Sequence, residues 1–254
     1  MGKGFFRLAL SIGGGLALWE FAVDWFRPSE FFVVAPSKVA LAAVKLSSQG
    51  VLLNHFLTSA YELLLAFVLA IVLGVFIGYW MAVHRKVELL LDPWLAVFNA
   101  VPTILLVPLM IAWFGLGMLP KVLIVFLSAV FPIILNTYGG VCSVDQDLVE
   151  LARSYLATRR QIFSEIIFHS ALPEIVAGCK LGLGRGLVGV VTAEMFGALA
   201  GLGHMLIAGA ESYATAEVFL SVVILGLLGS LNVIALTRLE EKLAPWRQGR
   251  AGGI

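Results

Sequence analysis

Six segments of this sequence are apolar over about the length that a helix needs to cross a lipid bilayer. Roughly 20 apolar residues, at 1.5 Å per residue, span about 30 Å of hydrocarbon. Only 13% of the 254 residues are charged, compared with about 25% in a typical soluble domain. We therefore predict an all-α integral membrane protein, with 1–254 as one transmembrane domain. The predicted spans are about 5–26, 59–83, 93–116, 119–140, 175–200 and 217–237.

Prolines interrupt the third predicted span. Pro102 and Pro108 lie within "PWLAVFNAVPTILLVPLMIAWFGLG", and each removes a backbone donor and clashes with the preceding helical turn. We expect this span to be kinked or broken. Carbonyl groups freed by a break must face protein or a water-filled cavity. Asn99, Pro102 and Thr103 are therefore candidates for a solute pathway, and a kink without solute contact is the alternative.

The distribution of Lys and Arg predicts the orientation of these spans. With an internal N-terminus, 13 of the 17 basic residues fall on the inner side, including Lys180 and Arg185, and four fall on the outer side, including Lys121. Short cytoplasmic loops carry the excess of basic residues in membrane proteins. We therefore expect both termini, and the loop between the fourth and fifth spans, in the cytoplasm. The net charge of +1 gives no indication of a nucleic-acid partner.

That loop contains a charged segment, "DLVELARSYLATRRQIFSEII" at 147–167. On a helix, its apolar residues fall near one face and its charged residues fall mainly elsewhere, so the segment is amphipathic. Two possible capping boxes, "SVDQ" at 143–146 and "TRRQ" at 158–161, each place a hydroxyl three residues before a glutamine. The sequence therefore predicts two short helices that meet at a bend near Ala157.

Two interpretations of this segment remain open on physical grounds. A bent, charged helix pair has a shape that enters a groove on a soluble partner. An interfacial helix lying on the bilayer also mixes arginine with apolar residues. Interfacial anchoring favours a uniformly basic polar face, and Asp145, Asp147, Glu150 and Glu165 count against it.

Several stretches resemble the permease subunits of binding-protein-dependent ABC importers. "ELARSYLATRRQIFSEIIFHSALPEIVAG" is similar to the EAA signature of that family, with Glu150, Leu151 and Ala152 at the triplet. "APSKV", "LDPWLAVFNAVPTILLVPLMIAWFGLG", "FPIILNTYGGVCSVDQDLVELA" and "GLGRGLVGVVTAEMFG" resemble the nitrate, sulfonate, taurine and bicarbonate subfamily. The resemblance covers about 33–236. It implies a type I ABC importer permease fold, multi-pass in a bacterial inner membrane, with both termini cytoplasmic.

The resemblance also implies partners. In that family the EAA loop, here 143–169, is a coupling helix that docks into a separate ATP-binding subunit. ATP and Mg would be used by that ATPase, and this chain would bind no cofactor. A periplasmic or lipoprotein binding protein would deliver a small solute, such as a sulfonate-, nitrate- or bicarbonate-like anion, to a homodimer or heterodimer of permeases. The candidate coupling residues are Asp147, Glu150, Leu151, Ala152, Arg153, Tyr155, Leu156, Arg159 and Arg160.

The sequence departs from the family pattern at two positions of this loop. Leu156 stands where the family usually has glycine, and His169 stands where it has proline. Glycine at the first position would ease a turn because it tolerates positive φ. The position of the bend is therefore open, although the capping box at Thr158 would still begin a second helix.

Glu194, within the fifth predicted span, allows several interpretations. An acidic residue inside a span is a functional candidate by default, and we include it among the candidate pathway residues. A gating role, or a structural one in which neighbouring groups satisfy the carboxyl group, is the alternative.

Two other classes of protein must be considered. A secondary transporter needs its own ion-coupling residues near the bilayer midplane, and Glu194 is the single candidate. A membrane enzyme is disfavoured, because the predicted spans carry no HExxH, GxSxG or paired-carboxylate constellation. Cys142, Cys179 and four scattered histidines match no metal-ligand spacing, so we expect no metal site.

Overall fold

The computed structural model describes residues 2–243, with side chains described for 10–242. The predicted cytoplasmic C-terminus lies outside the described residues. Over the described range the elements are helices, without strands. In chain order they are α1 (Gly2–Phe26), α2 (Pro36–Ser48), α3 (Val51–Val83), α4 (Arg85–Ala100), a 3₁₀ turn (Thr103–Leu106), α5 (Val107–Phe114), α6 (Met118–Cys142), α7 (Gln146–Ser154), α8 (Arg159–Gln161), a π-helical turn (Ile162–Ile167), α9 (Phe168–Met195), α10 (Leu202–Glu211) and α11 (Thr215–Leu243).

Four helical stretches of the described range are long and apolar enough to cross a membrane. They are α3, α6, the continuous stretch Arg159–Met195 and α11, and the bent pair α4 and α5 is a fifth if it counts as one span. The predicted all-α membrane fold is thus confirmed. Helix α1 covers the first predicted span, but the side chains of 5–9 lie outside the described residues, and the total of about six spans stays a prediction.

The third predicted span is broken, as its prolines indicate. Its two parts, Arg85–Ala100 and Thr103–Phe114, meet at 90°. Val101 is extended (φ −73°, ψ 122°) because the ring of Pro102 excludes the helical conformation from the residue before it. Pro108 is accommodated within the first turn of α5, where a missing N–H group removes no helical hydrogen bond.

The core of the fold is the packing of α6 between α3 and α9. Buried side chains such as Leu63, Val130 and Leu183 form one cluster across these three helices. Helices α6 and α9 approach closely where α9 carries glycine: a Cβ atom at Gly178 would lie 2.7 Å from the Asn136 Cβ atom, and one at Gly182 would lie 2.7 Å from the Ala129 carbonyl oxygen. Small residues permit such close approach of helices in membranes.

A second, smaller cluster gathers the helices at the predicted outer side. Val39 of α2, Leu202 and Met205 of α10, and Leu220 of α11 are buried together. Neither α2 nor α10 follows from the span pattern. Both are shorter than a membrane span, at 13 and 10 residues, and each becomes part of a core only through contact with longer helices.

Candidate coupling segment and solute pathway

The charged segment forms two helices that are joined by a sharp, hydrogen-bonded bend. Helix α7 ends at Ser154, and the next helix begins after Thr158. The Ala157 N–H group donates to the Ala152 carbonyl oxygen (3.0 Å) and the Leu156 N–H group donates to the Arg153 carbonyl oxygen (2.9 Å). This pattern is the Schellman motif, which requires a left-handed residue just after the helix.

Leu156 is that left-handed residue, with φ +59°. Glycine usually takes this conformation because a side chain makes it unfavourable. The chain therefore keeps its bend at the position where the resembling family has glycine, next to the predicted position at Ala157. The Leu156 side chain is 90% exposed, so no packing within this chain compensates for the backbone strain.

One of the two predicted capping boxes is confirmed and the other is wrong. Gln161 N donates to Thr158 Oγ1 (3.3 Å) and Thr158 N donates to Gln161 Oε1 (2.8 Å). Helix α7, by contrast, is capped by Asp145, whose carboxylate accepts from Asp147 N (2.9 Å). Ser143 cannot cap α7 because it ends α6, where its hydroxyl group donates to the Gly140 carbonyl oxygen (2.9 Å).

The bent segment carries apolar side chains on two sides. Val149 and Ile162 are buried with Val144 in a small cluster that holds the two helices together. Four further apolar side chains of the segment are exposed, and we call this set the docking face. It consists of Leu148, Leu151, Tyr155 and Leu156. An apolar patch with a polar rim is typical of a protein interaction site.

Three of the candidate coupling residues belong to the docking face: Leu151, Tyr155 and Leu156. Ala152 is half-buried against the Val149 cluster, and the charged candidates are exposed. Among the described residues none of these five forms an ion pair within the chain: Asp147, Glu150, Arg153, Arg159 and Arg160. Their charges are thus accessible to a partner.

The helix after the bend runs into the membrane without a break. The π-helical turn Ile162–Ile167 continues directly into α9, so that one helical stretch reaches from Arg159 to Met195. His169, at the family's proline position, donates from Nδ1 to the Ser164 carbonyl oxygen (2.6 Å). A proline there would remove both this hydrogen bond and a backbone donor.

The break in the third span borders a cavity of about 250 Å³. Asn99, Pro102 and Thr103 all line it, so the structure brings these three predicted pathway residues together. Phe98, Ser128, Phe131, Arg185 and Val188 are also in its wall. Asn99 Oδ1 accepts a hydrogen bond from Arg185 Nη1 (2.6 Å).

The sequence analysis counted Arg185 among the inner charges, and the structure adds its position along α9. It lies 17 residues after Phe168, the start of α9, or about 25 Å along the helix axis at 1.5 Å per residue. The sequence already indicated a position within the span, because Arg185 is well inside the predicted span 175–200. The structure turns its guanidinium group toward Asn99.

Glu194 lies away from this cavity and connects three elements. Its buried carboxylate accepts from Ser59 Oγ of α3 (2.6 Å) and from Gly203 N of α10 (2.7 Å). Ser59 Oγ in turn accepts from Leu202 N (2.8 Å). The carboxyl group therefore holds the start of α10 against α3, and a direct role for Glu194 in solute passage stays a prediction.

A buried ion pair lies beside this network and was missed from the sequence. Glu62 of α3 and Lys121 of α6 form a salt bridge in which both side chains are largely buried. Lys121 had been counted on the outer side, and it lies in the first turn of α6. A glutamate one turn after Ser59 in an otherwise apolar helix was the available signal.

Comparisons with known proteins agree with this geometry. The model of the family described as binding-protein-dependent transport system inner membrane component matches residues 70–248. The putative aliphatic sulfonates transport permease protein SsuC of Bacillus subtilis is 33% identical over 237 residues, covering 93% of this chain and 86% of that protein. The taurine transport system permease protein TauC of Escherichia coli is 31% identical over 248 residues, covering 94% and 90%.

Solved structures show the same fold at lower identity. A chain of the MetNI methionine ABC transporter, in an inward-facing conformation, superposes with a TM-score of 0.67 at 19% identity, covering 78% of this chain and 98% of that one. These findings confirm the type I importer permease fold. The chain belongs to the family of binding-protein-dependent transport system inner membrane components, and it is the transmembrane subunit of an ABC importer for a small solute.

Proposed function

We propose that the docking face binds a separate ATP-binding subunit, whose closure on ATP moves the helices around the cavity. The chain would act in a bacterial inner membrane, as one of two permease copies, with solute delivered by a separate binding protein. It has no phosphate-binding P-loop in its sequence, so ATP and Mg would be used by the partner. The solute is a small anion of the sulfonate, nitrate or bicarbonate type.

The observation that carries this proposal is the docking face itself. Leu151, Tyr155 and Leu156 project from a bend that is fixed by the Schellman motif on one side and a capping box on the other. An interfacial helix would place its apolar residues toward the bilayer as one stripe. Here a separate apolar set, with Val149 and Ile162, already holds the bend together, which leaves the docking face for a second partner.

Continuity of the helix gives this contact a route into the membrane. The stretch Arg159–Met195 includes Arg185 and Val188, which line the cavity. A packed helix moves as a unit between discrete arrangements. A displacement of the docking face would therefore shift the cavity wall.

The choice of an anion rests on Arg185 and on the relatives. Two relatives carry sulfonate and taurine permease names, but a third, 29% identical over 233 residues, is the formylaminopyrimidine transport permease protein ThiX of Halalkalibacterium halodurans. Relationship alone thus leaves the solute class open. The guanidinium group in the cavity favours an anion.

The first experiment is affinity purification of the chain from its native membrane through a C-terminal tag, followed by mass spectrometry. We expect an ATP-binding subunit at about one copy per permease. Glu150→Lys should reduce this association several-fold, because it reverses a charge beside the docking face. Glu241→Lys, an equal reversal at an exposed site near the end of α11, is the matched control. A chain that purifies alone, with uptake that persists without ATP, would favour a secondary transporter.

A further inference from the structure

The cavity contains a cation without a carboxylate partner among the described residues. Helices α6 and α9 carry three basic residues. Lys121 is paired with Glu62, and Lys180 with Glu240 (2.6 Å). Among the described residues Arg185 has no such pair, and its guanidinium group donates instead to the neutral amide oxygen of Asn99.

Arg185 lies within a membrane-spanning helical stretch and has no carboxylate partner among the described residues, which points to a charge that arrives from outside the chain. Charged residues within membrane spans face the interior or a water-filled cavity, and they mark ion and substrate routes. In this fold the charges of Lys121 and Lys180 are each neutralised by a glutamate of another helix. Arg185 departs from that pattern beside the break between α4 and α5.

The walls of the cavity indicate what kind of anion fits. The hydrogen bond to Asn99 uses one of the five N–H donors of Arg185, and Thr103 adds a hydroxyl group to the lining. The rings of Phe98 and Phe131 stack 6.2 Å apart with an interplanar angle of 10° and form an apolar side. The cavity volume of about 250 Å³ leaves room for a small solute.

We propose that Arg185, with Asn99 and Thr103, forms an oxyanion-binding site that selects solutes with a sulfonate- or carboxylate-type headgroup and a short apolar body. This inference rests on the proposed function, because it assigns the solute class of the same pathway. A guanidinium group binds two oxygen atoms of one headgroup through parallel hydrogen bonds, which an ammonium group does not reproduce. Asn99 holds the guanidinium group in place as a positioning residue.

The test measures the charge preference of the cavity with thiol reagents, so it needs no knowledge of the natural solute. Val188→Cys introduces a thiol in the cavity wall one helical turn from Arg185, after Cys142→Ser and Cys179→Ala remove the native thiols. The complex is purified into phosphatidylcholine nanodiscs, which contain no anionic lipid. The rate of labelling is compared for a sulfonate-bearing and a trimethylammonium-bearing methanethiosulfonate.

We expect the sulfonate reagent to be favoured, and Arg185→Gln to lower the ratio of the two rates at least tenfold. Arg185→Lys should keep most of the ratio, because it keeps the charge. The matched control is the double variant Lys180→Gln with Glu240→Gln, which removes the ion pair between α9 and α11 and should leave the ratio unchanged. An equal ratio with and without Arg185, or a thiol that neither reagent reaches, would overturn the proposal.

A protection arm tests binding rather than charge alone. Ethanesulfonate at tens of millimolar should slow labelling by the trimethylammonium reagent at least threefold, and ethanesulfonamide, its neutral counterpart, should not. Protection should be lost in Arg185→Gln and weakened in Arg185→Lys, and equal protection by both compounds would contradict the site. The ATP-binding subunit in each preparation is quantified separately. Its absence counts against the proposed function alone, since the labelling ratio is a property of the permease.

Discussion

At the scale of single residues, Leu156 shows how a local rule can be broken without loss of the local structure. A left-handed conformation costs about 1–2 kcal/mol for a residue with a side chain, yet the two backbone hydrogen bonds of the Schellman motif form around it. The exposed side chain gains nothing from the rest of the chain. A leucine here is explained if it contributes to the docking face.

Leu156→Gly should therefore stabilise the bend by about 1 kcal/mol, since glycine adopts positive φ without this strain. The Ala157 amide donates across the bend, and its hydrogen-exchange protection in the purified permease should rise about fivefold. Leu151→Gly is the matched control, because it removes another exposed leucine, this one from within α7. It should lower protection, as glycine disfavours a helix interior by about 1 kcal/mol. Similar effects of both variants would contradict the assigned strain.

At the scale of elements, α10 depends on a few hydrogen bonds and close contacts for its position. Its first two N–H groups donate hydrogen bonds, that of Leu202 to Ser59 Oγ and that of Gly203 to the Glu194 carboxylate. A Cβ atom at Gly203 would lie 2.6 Å from the Val191 carbonyl oxygen and 2.9 Å from the Glu194 Cβ atom. Sequence patterns missed this helix because these anchors are single residues far apart in the chain, which no periodicity reveals.

Glu194→Gln should weaken the attachment of α10 even though the shape of the side chain is kept. The carboxylate accepts two hydrogen bonds, whereas an amide offers one oxygen and turns an NH₂ group toward the other donor. An unsatisfied buried donor costs about 1–3 kcal/mol, so the melting temperature of the purified permease should fall by several degrees. Glu211→Gln, at the exposed end of α10, should leave the melting temperature unchanged. An unaltered melting temperature in Glu194→Gln would contradict the structural role and favour a role of Glu194 in the solute pathway.

At the scale of the whole molecule, the features that could be predicted from the sequence are those determined by long apolar runs and by proline. The main spans and the break at Pro102 are of this kind. Side-chain orientation within a span is set by tertiary packing, so the turn of Arg185 toward Asn99 and the pairing of Lys121 with Glu62 were not predictable from spacing. The predicted capping residue of α7 was wrong for a similar reason. Helix α6 extends to Cys142, so Ser143, which had been assigned as the cap of α7, is the C-cap of α6 instead.

The continuous helix Arg159–Met195 leads to the last prediction, which concerns transmission between the docking face and the cavity. If this stretch acts as a rigid link, ATP with vanadate should change the labelling rate at Val188→Cys in the complex with its ATP-binding subunit. Ser164→Gly with Glu165→Gly should reduce that change, because two glycines weaken the helix by about 1 kcal/mol each between the docking face and α9.

The matched control is Glu241→Gly with Lys242→Gly in the last turn of α11, which should keep the full response. Co-purification of the ATP-binding subunit with both double variants distinguishes loss of transmission from loss of docking. A full response in Ser164→Gly with Glu165→Gly would mean that motion reaches the cavity through other helices, for example through the contacts that α6 makes with α3. A reduced response with the subunit still bound would identify the helix after the bend as the route along which closure of the ATP-binding subunit reaches the solute pathway.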